Sequence, residues 1–187
     1  KTKLKEMINN KTYNNVIMTL EGLGVQHKFI NTTTVGDIFD INLEKETKFP
    51  LMHLNPTSVT TGASQLNYNF QIFVMDLVSE KEDWKPEPPS PPSNSTTHNL
   101  SNEQEVLSDC LSTCVDIISI FRNSKWQAQL SLDINAPVYF TDAEYTIEPF
   151  TERFDNLLTG WVFQLTIVVQ NDFQSCDIPV KDKSIGK

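Results

Sequence analysis

The sequence predicts an α+β fold: a mainly antiparallel sheet, about two helices packed on one of its faces, and a long proline-rich arm. Three observations predict it. Apolar residues recur at three- and four-residue steps in two segments, Leu4 to Leu23 and Glu103 to Arg122, which is the period of amphipathic helices. Alternating and β-branched runs mark further segments as strands that follow one another closely, a spacing that favours antiparallel pairing. Five prolines between Pro86 and Pro92 remove backbone donors and fix φ, so that stretch builds neither helix nor strand. With 187 residues the chain has material for one domain and an arm. Residues 1–78 and 103–178 read as two parts of that domain, 79–102 as the arm, and 179–187 as a flexible tail with few apolar anchors.

The first segment places Leu4, Met7, Ile8, Tyr13, Val16, Ile17 and Leu20 at helical spacing, with Gly22 and Gly24 expected to end it. Val25 to Ile30 follows as a short strand candidate, and Asn31 to Asp37 as a turn-rich connection. Phe49 to Leu54 is a better strand, with Pro50 near its start. Polar residues and Gly62 make Thr57 to Ser64 a loop. Gln65 to Val78 alternates and then turns continuously apolar at Ile72 to Met75, as expected of a half-buried strand that becomes covered on both faces. In Glu103 to Arg122 the apolar face runs from Val106 to Phe121. Ser101 is the expected N-cap, and Glu103, Glu105 and Arg122 lie at the ends that suit the helix dipole. Trp126 to Ile134 alternates cleanly, Val138 to Phe140 and Tyr145 to Pro149 are shorter strand candidates, and Trp161 to Gln170 is a long β-branched strand.

Composition limits function. Fifteen Lys and Arg against 24 Asp and Glu give a net charge of −9, which argues against a protein that wraps nucleic acid. No run of about 18 apolar residues exists to cross a bilayer. The opening residues lack the pattern of a secretory signal, so the sequons at Asn10, Asn31, Asn94 and Asn99 carry no weight. Three cysteines are too few for a disulfide scaffold; Cys110 and Cys114 fall on a helix face as buried thiols, and Cys176 stands apart. Phosphate-binding glycine loops, a nucleophile elbow and a zinc-protease motif are all missing from the sequence. His53 lies in an apolar strand and reads as a satisfied structural histidine. Asp37, Asp40, Glu44 and Glu46 lack the spacing of a calcium loop and read as a solvated face. The expectation is therefore a non-enzymatic protein without cofactor or metal.

Two places invite a partner. Trp84 and Pro86 would anchor the arm if it docks on a neighbouring subunit; otherwise the arm is a loose insertion. The stretch from Glu148 to Trp161 reads as an ordered loop whose aromatic and charged residues, Phe150, Glu152, Arg153, Phe154, Asp155 and Trp161, either pack on their own domain or make a subunit contact.

These residues also carry a likeness. Phe150-Thr151-Glu152-Arg153-Phe154-Asp155-Asn156 with Thr159-Gly160-Trp161, then Asn171-Asp172-Phe173 and Cys176, resembles a family of virion proteins of tailed bacteriophages, including crAss-like phages of Bacteroidetes. The blocks Val35 to Asn42, Phe49 to Pro56, Tyr68 to Phe70 and Met75 to Val78 fit it in the same order, while the proline arm departs from its compact pattern. The resemblance implies a component of the neck or tail, similar to tail-completion and tail-terminator proteins. Such a protein forms a homo-oligomeric ring, meets portal, neck or tail proteins, lets DNA pass without specific binding, is assembled in the bacterial cytoplasm and resides in the virion. A ring needs two different surfaces on each subunit, and an acidic lumen repels phosphate. A baseplate or tail-tube protein, a small phage enzyme, and a host-factor ligand using the proline arm are the competing readings.

Overall fold

The computed structural model describes residues 13–37, 47–79, 102–123, 139–141, 144–153 and 157–170, with backbone only at 151–153 and 157. Among the described residues two helices, each followed by three strands, run in the order α1 (Tyr13–Gln26), β1 (Thr32–Val35), β2 (Leu51–Thr61), β3 (Gln65–Leu77), α2 (Glu103–Arg122), β4 (Phe140–Thr141), β5 (Ile147–Arg153) and β6 (Leu157–Gln170). They form the expected α+β fold. The sheet runs β1-β2-β3-β6, and β4 and β5 share the far edge of β6. All its pairings are antiparallel except β1 with β2, which is parallel.

Residues opposed across antiparallel strands share a face. Met52, Val74 and Trp161 therefore lie in one row, and Leu54, Ile72 and Phe163 in the next. This face carries the main core. Against it pack Val16, Leu20 and Leu23 of α1 and Val106, Cys110, Cys114, Ile117, Ile118 and Phe121 of α2. The residues between them in sequence point to the other face. There Leu51, Phe73, Met75 and Leu158 form a smaller core at one end of the sheet, with Phe49, Phe150 and Val162 against it. This two-sided burial is why Ile72 to Met75 is apolar without a break.

Several boundaries differ from the sequence expectation. Helix α1 runs through Gly22 and Gly24 to Gln26. Gly24 serves packing: a Cβ there would collide with the side chains of Thr33 and Met52, so glycine lets the helix lie close to the sheet. Val25 to Ile30 is consequently the end of a helix and a turn, closed by His27 N–H donating to Leu23 O at 3.0 Å, and not a strand. The first strand is instead Thr32–Val35, where β-branched side chains outweigh the turn composition of the region. Strand β2 continues through Thr57–Thr61, and only Gly62 to Ser64 turn. A bulge between Pro56 and Ser58 absorbs the irregularity, with Thr57 Oγ1 donating to Asn69 O at 3.0 Å. The N-cap of α2 is Asn102, without a side-chain capping bond, rather than Ser101. The strands expected from Val138 and Tyr145 are β4 and β5, displaced a little toward the C-terminus.

The segments 4–12, the arm residues 80–101, the Trp126 to Ile134 strand, the carboxylates Asp40, Glu44 and Glu46, Cys176 and the tail lie outside the described residues. Among the described residues no helix is long and apolar enough to cross a membrane.

Candidate interaction surfaces

The stretch read as an ordered loop before Trp161 is a hairpin. Arg153 opposes Leu157, Glu152 opposes Leu158, and Phe150 opposes Gly160. The last pair organises the outer face of the sheet. Gly160 sits where a Cβ would run into the backbone of Val74 and Met75 on β3, so strand β6 can hold this register only with glycine. Phe150, opposite Gly160, reaches across β6. Its ring meets Phe73 edge-on at 5.5 Å between centroids, and its carbonyl accepts from Thr159 Oγ1 at 3.1 Å. Cross-strand rescue of a glycine by an aromatic ring is a known device for pinning register. Phe150 is thus half-buried within its own chain.

Trp161 points the other way. Its indole N–H donates to Leu107 O of α2 at 2.7 Å, which ties the helix to the central strand pair. Glu152 and Arg153 occupy the end of β5 by their backbone. Trp84, Pro86, Phe154 and Asp155 lie outside the described residues.

The arm is rooted at one point. Ser79 N–H donates to Asn102 Oδ1 at 2.7 Å, and Asn102 N–H donates to Ser79 O at 3.4 Å. The residues on either side of 80–101 are therefore held together at the head of α2. Helix-cap statistics direct attention to Ser101 and miss this role of Asn102. The residue that could have revealed it is the asparagine itself, whose side-chain carbonyl is a good partner for a returning backbone.

The most distinctive surface is the far end of the sheet. From Phe49 to Met75, and again from Asn156 to Asn171, the sequence contains no Asp, Glu, Lys or Arg, although the chain holds 39 such residues (15 + 24). In the β2–β3 hairpin beyond Asn55 the β2 side, Thr57 to Thr61, is exposed, with Val59 half in solvent, while Tyr68 and Phe70 on the β3 side are buried; the hairpin carries amides and hydroxyls in place of charge. Asn69 Nδ2 donates to Ser58 Oγ at 3.0 Å, Thr166 Oγ1 donates to Asn69 Oδ1 at 2.9 Å, and Asn55 Nδ2 donates to Gln71 Oε1 at 3.2 Å. Beyond Leu54 the outer edge of β2 has no partner strand among the described residues, because β1 pairs only with Leu51 to Leu54. Pro56, which has no N–H to offer, stands where that pairing stops. The charge-free runs were visible in the sequence, but their convergence on three adjacent strands was not.

The titratable groups inside the fold are quiet. His53 is buried beneath the start of the β1–β2 connection. The Gly36 carbonyl can only accept, so Nε2–H donates to it at 3.1 Å, and Nδ1 then accepts from the Thr34 hydroxyl at 2.8 Å. Desolvation lowers its pKa, against the weaker pull of the Gly36 carbonyl and Asp37. The histidine is structural, as its sequence context suggested. Burial pushes the Cys110 and Cys114 thiols up to about 12, with Asp76 and Asp109 adding to the first and Cys110 to the second. They are packing groups. Among the described residues no three His, Cys, Asp or Glu side chains come together to hold a metal ion.

Fold and surface together define an α+β module with a charge-free, hydrogen-bonding sheet end and a Ser79–Asn102 link at the head of α2. No protein-family model matches the chain, and no curated protein is similar to it at a significant level.

Proposed function

We propose that this chain is a structural subunit of the neck or tail of a tailed bacteriophage, of the tail-completion or tail-terminator kind, that closes into a ring with copies of itself. The observation that carries the reading is the charge-free end of the sheet. A solitary protein keeps such strands and edges soluble with lysine and glutamate; a subunit whose surface is covered by its neighbours has no such need. The sequence blocks behind the virion resemblance are compatible with this. Four of them, Phe49 to Pro56, Tyr68 to Phe70, Met75 to Val78 and Thr159 to Trp161, lie on or directly beside the neighbouring strands β2, β3 and β6. Head-to-tail closure needs two unlike faces on each copy, and the helix layer and the bare sheet end are unlike in both charge and shape. In this reading the acidic balance keeps the passing genome from adhering to the wall.

Particles purified from infected cells test the proposal. Mass spectrometry of the intact virion should find the chain, and a reconstruction should place it at the head–tail junction or along the tail with rotational symmetry. Its absence from particles would overturn the assignment.

A further inference from the structure

On the face of the sheet turned away from the helices, the register of β2, β3 and β6 sets up three successive rows. The first is Asn55, Gln71 and Gln164, and the second Ser58, Asn69 and Thr166. The third is Thr60, Asn67 and Val168, which Phe140 of β4 extends. All but Val168 and Phe140 are amides or hydroxyls. The second row is closed on itself, because Asn69 donates to Ser58 and accepts from Thr166. The first is open. Gln71 Oε1 accepts from Asn55 Nδ2 at 3.2 Å, which orients the Gln71 amide and leaves its N–H groups without a partner among the described residues, and Gln164 is exposed. Gln71 and Gln164 line a groove of about 340 Å³, with apolar Val162 and the further hydrogen-bonding groups Thr146, Glu144 and Glu148. That volume falls in the range of small-ligand pockets, about 300–1,000 Å³. Among the described residues no Lys or Arg lines it.

This chemistry narrows the ligand. Phosphate, sulfate and uronate groups would face two carboxylates with no cation to offset them. A cation would meet the N–H donors of Gln71 head-on. A hydrocarbon would strip water from amides that it cannot pair. A neutral sugar meets every condition. Each of its hydroxyls donates and accepts, adjacent hydroxyls match the donor and acceptor of one side-chain amide, and carboxylates accept from them in pairs. The C–H face of its ring is apolar and packs on an aromatic ring. Phe140 offers such a ring, 72% exposed and on the same face, since it opposes Val168 directly. Val168 lies four residues beyond Gln164 on β6, which is about 13 Å along the strand. A short oligosaccharide spans that distance, and a single sugar does not.

We propose that this face binds a neutral oligosaccharide, with Gln71 and Gln164 bonding hydroxyls of one unit in the groove and Phe140 packing under another. The site lies on the β6 side of β3, away from the β2 edge and hairpin end that carry the ring reading, so sugar binding and ring closure stand or fall separately. Native electrophoresis of the full-length chain tests it, because a net charge of −9 draws the protein through a gel at neutral pH. Gels are cast with mannan, galactomannan, xylan, mixed-linkage β-glucan or soluble starch, and with polygalacturonate as the anionic counterpart. Mobility relative to a reference protein should fall in one or more of the neutral gels and stay unchanged in polygalacturonate. Gln71→Ala/Gln164→Ala should abolish the retardation and Phe140→Ala should weaken it, with circular dichroism confirming the fold. Gln164→Ala alone, at an exposed position, serves if the double variant misfolds. Unretarded migration in every neutral gel, equal retardation in polygalacturonate, or retardation that survives in the folded glutamine variant would overturn the site. Self-association that weakens in the same variants, without any retardation of the parent chain, would overturn it too and mark the face as a contact between copies.

Discussion

At the scale of single residues, Gly160 and His53 show how much of this sheet depends on what a side chain lacks. At Gly160 even a methyl group would press into the β3 backbone, and backbone has nowhere to move in a strand paired on both sides. Gly160→Ala should lower unfolding stability by about 1–3 kcal/mol in urea titration, the range for overpacked interiors. His53 contributes through its neutrality. Its folded pKa lies below the ordinary 6.5, so as pH falls below 6.5 the unfolded chain takes up a proton that the folded chain resists. Stability is fully present above pH 6.5 and declines as the pH drops toward the folded value. The slope, at most about 1.4 kcal/mol per pH unit, should flatten in His53→Gln. The two helical thiols make a third case. With pKa values near 12, Cys110 and Cys114 should resist iodoacetamide in the folded protein at pH 8 and react in urea, measured in a Cys176→Ser background.

Among the elements, α2 and the β5–β6 hairpin connect the helix layer to the sheet. Trp161 provides a polar link between them, and Trp161→Phe, which keeps an aromatic ring and removes the bond to Leu107, should cost about 1 kcal/mol. Legibility in the sequence followed the strength of periodicity. Helix α2 was readable to its ends, Glu103 and Arg122, because its apolar face spans five turns and acids and a base mark its termini. Strand β3 was readable because it alternates and then closes. The failures have local causes. Gly22 and Gly24 have the composition of a helix stop, but Gly24 is needed for close packing on Thr33 and Met52. Thr32 to Val35 and Thr57 to Thr61 look like turns by composition, yet their partners sit elsewhere in the chain and composition does not encode a partner. Of the residues singled out as an interface, Phe150 and Trp161 are engaged inside their own chain; nothing in the spacing of aromatic residues distinguishes an internal contact from an external one.

For the whole molecule, the arm root matters most to architecture. Because Ser79 and Asn102 are hydrogen-bonded to each other, the two ends of the 22-residue segment 80–101 meet at one point. Replacing Glu80 to Ser101 with a two-glycine link should leave the thermal midpoint within a few degrees, read by calorimetry, since surface loop changes carry small free-energy differences. A large loss would show that the arm packs on the core. The same variant separates stability from the proposed assembly: if segment 80–101 reaches a neighbour, self-association weakens while the subunit stays folded.

The central pairing of the sheet also sets a timetable for synthesis. Strand β3 is flanked by β2, its immediate predecessor, and by β6, whose residues pair with it from Leu77 with Leu158 to Gln65 with Gln170. On the ribosome, the β2–β3 hairpin therefore emerges complete while its other neighbour is still untranslated. At about 5–20 residues per second that interval lasts on the order of ten seconds. During it the edge of β3 that later receives β6 stands open, with no Asp, Glu, Lys or Arg along it from Gln65 to Met75, and nascent chains on the same message carry identical edges. Production of this protein should accordingly be sensitive to polysome density and to chaperones that bind uncharged β-segments.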